Sequence, residues 1–120
     1  MPEGWKAFRV SGPLFFAAAD RVFGELSVKL KQQQGAIVVM DAVTLMDAGG
    51  LSAFTKLVSL AEKQGIHLLV TDLTFQPLKT LAKAKVQPLP GILSFYSSLA
   101  DALNGLPGQS SDPQGEAVGL

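Results

Sequence analysis

The sequence predicts an α/β fold, and three observations carry that prediction. Ala36 to Met40 is continuously apolar and β-branched at its centre, as expected of a strand covered on both faces in a parallel sheet. After Asp47 the pattern turns helical, with Leu51, Phe54, Leu57, Val58 and Ala61 on one stripe, and a second apolar run follows at Ile66 to Thr71. Strand, helix and strand within ~35 residues form a βαβ unit, whose crossover is right-handed. With 120 residues, 48% of them hydrophobic, the chain is long enough for one domain with its own core.

Lys6 to Ser11 alternates polar and apolar residues, the pattern of a strand with one solvated face. Ser11-Gly12-Pro13 interrupts it, and Leu14-Phe15-Phe16 resumes a short extended run. From Ala17 the period is helical, with Ala19, Val22, Phe23, Leu26 and Leu30 on one face and Glu25 and Lys29 at favourable spacing on the other. Gly35, after three glutamines, reads as the residue that stops this helix with positive φ. Gln64-Gly65 closes the next one. Pro77 suits the first turn of a third helix, where its missing N–H has no helical partner. Gln87-Pro88-Leu89-Pro90-Gly91 must be a shaped loop. Ile92–Phe95 reads as a short edge strand, and Ser97-Ser98 as a cap for a last helix through Leu103. The organisation expected is a linker over 1–5, a domain over 6–104 and a disordered tail over 105–120, where Gly, Pro, Ser and Gln dominate without period.

Composition excludes several classes of function. Ten basic and ten acidic residues cancel, which argues against a nucleic-acid partner. There is no cysteine, hence no disulfide framework, thiolate zinc site or cysteine nucleophile. No apolar run approaches the ~18 residues of a membrane span, and the N-terminus lacks a signal-peptide pattern. The chain as given is therefore expected to be soluble.

Little enzymatic machinery is visible, and no catalytic residue, cofactor or metal site is expected. Asp47 is placed to cap the following helix with its carboxylate. Gly49 and Gly50 could instead let an anion approach the helix start, but neither a Gly-Lys-Ser/Thr phosphate loop nor a Gly-x-Gly-x-x-Gly fingerprint is present. Asp41 and Asp72, at successive strand ends, could together face a ligand, which leaves a weak nucleotide-binding module as one alternative. His67 reads as a satisfied strand residue, and Trp5 as either core or interface. From Leu73 to Ala100 there is no acidic residue, while Lys79, Lys83 and Lys85 cluster on one short helix. That surface would dock an acidic protein or anionic headgroups.

The segment VTLMDAGGLSAFTKLVSLAEKQGIHLLVTDL, Val43 to Leu73, resembles a STAS domain. FRVSGPLFFAAAD (Phe8–Asp20) is similar to the start of the STAS domain at the cytosolic end of SulP-type anion transporters. FQPLKTLAKAKVQPLPG (Phe75–Gly91) looks like the bacterial dicarboxylate-transporting branch. The resemblance spans about residues 3–104. It implies a STAS fold: a mixed, mostly parallel sheet of four to five strands with helices packed mainly on one side. It also implies a non-catalytic regulatory and protein-interaction domain on the cytoplasmic side of the membrane, modulating assembly or gating of a sulfate or dicarboxylate transporter. The partners implied are the transmembrane domain of the same transporter, a second copy in a homodimer, or an acidic cytosolic protein.

The family signature Asp-Ser-Ser/Thr-Gly maps onto Asp47, Ala48, Gly49 and Gly50, followed by Leu51. Ala48 stands where STAS antagonists of anti-sigma factors carry the phosphorylated serine. A free-standing switch protein of that kind, the other alternative, would therefore lack its phosphoacceptor.

Overall fold

The computed structural model describes residues 2–106. The elements run β1 (Trp5–Ser11), α1 (Phe16–Leu30), β2 (Gly35–Ala42), α2 (Ala48–Gln64), β3 (His67–Thr71), α3 (Phe75–Lys83), β4 (Leu93–Tyr96) and α4 (Leu99–Asn104). The four strands lie side by side in chain order, each parallel to the next. This matches the expected strand count, and the antiparallel component is the isolated bridge Leu89↔Leu93.

This order dictates where the helices go. Crossovers of one hand that always step in the same direction put their helices on the same face. Accordingly Phe23, Leu26 and Leu30 of α1, Phe54 and Leu57 of α2, and Leu81 of α3 share one core with Phe8, Val38, Met40, Leu68 and Val70. The reverse face of the sheet, with Ala7, Ile37, Val39 and Leu69, is covered by Ala102 and Leu103 of α4 and by Leu106. β2 and β3 are thus buried on both faces, which explains their lack of alternation.

Three local expectations change. Gly35 does not stop α1 but opens β2. A Cβ there would lie 2.4 Å from the Trp5 ring, so glycine is required because the indole lies flat on that backbone. Trp5 accordingly belongs to β1 and packs on the α4 face, and the turn before it is tied down where Gly4 O accepts from Gln34 N at 2.6 Å. At the other end Leu106, expected in the tail, is buried; residues 107–120 of that expected tail lie outside the described residues.

Candidate functional site

In a sheet of parallel strands the loops after each strand gather at the carboxyl edge, where α/β folds place their sites. Asp47 stands there as the N-cap of α2. Its Oδ1 accepts from Gly50 N at 2.8 Å and from Phe16 N at 3.4 Å. One carboxylate therefore holds the start of α2 and the start of α1 together. Leu14 adds backbone bonds, its N donating to Leu45 O at 2.9 Å and its O accepting from Asp47 N at 3.3 Å.

That arrangement decides between the two readings of the glycines. A Cβ on Gly50 would lie 2.3 Å from Leu14 O, and one on Gly49 would lie 2.8 Å from Phe16 Cα. The space beside the helix start is filled by the chain's own Leu14–Phe16 segment, so the glycines admit backbone and not an anion. Phe16 takes φ 40 to make this approach, a conformation L-residues rarely adopt.

The other side of the loop is pinned by α3. The Gln76 carboxamide reads the Met46 backbone from both ends, accepting from its N at 2.7 Å and donating to its O at 3.1 Å. Thr74 Oγ1 donates to Val43 O at 2.7 Å. These two residues escaped sequence reasoning, because a glutamine and a threonine at a helix start carry no pattern that reveals a partner 30 residues away.

The outcome is a rigid turn with an apolar rim. Phe15, Phe16, Leu45, Phe75 and Leu78 lie around this edge and are exposed, Phe16 at 74% and Phe75 at 77%. Ala48 is exposed at the first position of α2, and Leu51 is half-buried behind it. The rim has a sequence signal in hindsight: each member is a large apolar residue in a loop or first helical turn, off the buried stripes. Lys79, Lys83 and Lys85 are all exposed on or just beyond α3, with Lys79 Nζ 5.8 Å from the Phe75 ring centroid.

Asp41 is engaged by Arg9, whose Nε donates to its Oδ1 at 2.9 Å while Nη2 contacts Oδ2. Asp72 takes φ 60 at the end of β3. Among the described residues no group of three or more His, Cys, Asp or Glu could hold a metal. Apart from the rim, grooves open between α1 and α2, of about 240 Å³, and between α2 and the 85–93 loop, of about 330 Å³. Neither gathers the residues of the turn.

His67 lies at the opposite, amino edge of the sheet. Its Nε2 is 2.9 Å from Ser94 Oγ, and its ring meets Trp5 edge-on at 5.9 Å. Burial lowers its pKa below the ordinary 6.5. Below 6.5 the unfolded chain therefore binds the proton first, so stability is highest above that pH and declines as pH falls towards the folded value. The urea midpoint is expected to drop between about pH 7.5 and 5.5, above the range where most carboxylates titrate. His67→Gln should flatten that slope; an unchanged slope would place its origin elsewhere.

A family model described as STAS domain matches residues 2–102. Among solved structures, the inward-facing murine Solute Carrier 26 family member A9 anion transporter superposes with TM-score 0.72 at 21% identity. That match covers 84% of this chain and 17% of the transporter, so the chain spans about a sixth of that protein. A sulfate transporter family protein from Wolinella succinogenes gives TM-score 0.68 at 26% identity, covering 86% of this chain and 84% of that one. A putative anti-sigma factor antagonist from Thermotoga maritima also gives 0.68, at 10% identity, covering 87% and 88%. No curated protein matches the sequence.

Proposed function

The chain belongs to the STAS domain family, and from that premise we propose that it is the cytosolic regulatory and interaction domain of a SulP-type anion transporter. In this role it is not catalytic; it modulates the assembly or gating of a membrane domain that moves sulfate or a dicarboxylate. The similarity to the Wolinella succinogenes sulfate transporter family protein, over most of both chains, supports the choice of host. No helix among the described residues is long and apolar enough to cross a membrane, so on this reading the transport path is supplied by another part of the protein.

The observation that carries the interaction role is the exposed apolar rim beside a turn braced from three directions. Phe15, Phe16, Leu45 and Ala48 present apolar surface on backbone locked by Asp47, Leu14 and Gln76. Apolar area on a preorganised frame loses little entropy on docking. Such a surface biases a transporter only as far as it binds one state of it better than another.

The first test is fractionation of the native gene product with an antibody against this domain. A product much larger than a 120-residue chain, pelleting with membranes and released only by detergent, is the expected result. A free product of this length would instead favour the switch-protein reading, to which Ala48 offers no phosphoacceptor. In the intact transporter, Ala48→Arg should alter transport while leaving the domain's stability within about 0.5 kcal/mol. Unchanged transport would remove the turn from the interface.

A further inference from the structure

We propose that the outward face of α3 is a docking surface for an anionic lipid bilayer. The idea rests on the transporter reading only for the nearness of a membrane, and the surface can be tested without the transporter.

α3 is divided into two chemically distinct sides. Pro77 and Leu81 are buried, and Gln76 and Thr80 beside them bond to the Met46 backbone. The opposite side presents Phe75, Lys79 and Lys83 in one i, i+4, i+8 column, with Leu78 and Ala82 alongside. Lys85 follows the helix end. Phe75 and Leu78 are 77% and 52% exposed. The Lys79 ammonium over the Phe75 ring makes charge and aromatic one continuous patch.

The electrostatics are one-sided. No acidic residue occurs from Leu73 to Ala100. Among the described residues the ion pair within 4.0 Å is Arg9–Asp41, so none of the three lysines forms an ion pair with a described carboxylate, although Lys85 shares a groove with Glu62. A basic patch of this kind is complementary to a negative surface.

The apolar residues choose which negative surface. A purely acidic surface would satisfy the lysines and leave the projecting Phe75 and Leu78 side chains in water. A bilayer takes both: apolar side chains enter the headgroup–acyl boundary, and lysine stems lie along it with their ammonium groups at the phosphate level. The pins from Gln76 and Thr74 keep the helix formed before contact, so binding does not have to order it.

The test is flotation of the 120-residue chain with vesicles of phosphatidylcholine mixed with phosphatidylglycerol, against pure phosphatidylcholine, at physiological salt. Binding to the anionic vesicles alone is expected. Lys79→Gln, Lys83→Gln and Lys85→Gln together should weaken it about a hundredfold, at about fivefold per lysine. Phe75→Ser with Leu78→Ser should weaken it at least about tenfold. All five side chains are exposed, so both variants should keep the parent's urea midpoint. Absence of binding, equal binding to neutral vesicles, or indifference to the lysine variant would overturn the proposal. Binding that needs the lysines but not Phe75 and Leu78 would overturn it too, and would assign the patch to an acidic surface. None of these outcomes touches the fractionation result, which decides the transporter reading separately.

Discussion

Gly50→Ala is expected to destabilise the domain by about 3 kcal/mol, the upper end for overpacking, although it adds one methyl group. On helix propensity alone the change would gain about 1 kcal/mol. Sterics decide the sign: the new Cβ would sit 2.3 Å from Leu14 O and 2.9 Å from Met46 Cγ. The first of these atoms is backbone and cannot rotate away. Relief requires moving the β1–α1 loop off α2, which breaks the Leu14–Leu45 and Asp47–Leu14 backbone bonds. Gly24→Ala in the middle of α1 is the control, because nothing lies within 4 Å of its would-be Cβ; it should stabilise by about 0.5–1 kcal/mol. Urea unfolding of both variants reads the contrast directly. Equal and small effects would mean that the turn yields easily and is not the preorganised frame that its interaction role requires.

The same geometry accounts for a departure from the family signature. A Ser or Thr at position 49 would need a Cβ only 2.8 Å from Phe16 Cα. The missing hydroxyl at Gly49 and the tight approach of Phe16 are therefore two aspects of one packing solution. Ala48, beside it, is exposed. Its lack of a hydroxyl is a matter of chemistry and not of space, and it bears on function where Gly49 bears on folding.

What could be read from the sequence follows from the range of the interactions involved. The βαβ unit, the Asp47 cap and the Gly65 stop, with φ 69, are set by residues within a few positions of one another, where periodicity and capping rules act. Gly35 was legible as a special glycine but not for its true reason, because Trp5 lies thirty residues earlier and meets it only across the β1–β2 ladder. The Gln76–Met46 bracket and the burial of Leu106 are likewise long-range. Polar or flexible local composition signals only a loop there, and tertiary contacts override it. At the site, Asp47 to Leu51 was legible as a motif. The surrounding rim shows in the sequence only as large apolar residues off the buried stripes, since exposure of Phe15, Phe16 and Leu45 depends on how the loops converge.

Phe54→Ala tests how far that turn depends on the layer beneath it. Phe54 is fully buried in α2 and meets Phe23 of α1 edge-on, with ring centroids 6.0 Å apart. Truncating a buried phenylalanine costs about 3–5 kcal/mol, with the aromatic pair contributing about 0.5–1.5 kcal/mol of that coupling. Against a mid-range total of about 10 kcal/mol, the domain should remain folded but lose about a third to a half of its stability. The loss should reach the turn, because Leu14–Phe16 leads into α1 and Asp47 leads into α2, so both halves of the turn hang on the helix pair that Phe23 and Phe54 join. Hydrogen exchange at Gly50 N–H, the donor to Asp47 Oδ1, reports this at a single bond. Phe54→Ala should speed its exchange along with that of the α2 core amides, whereas Ala48→Arg should leave it unchanged. If Phe54→Ala destabilised the helices while Gly50 stayed protected, the turn would be held by its own loop contacts. Its presentation to a partner would then be independent of the domain's overall stability.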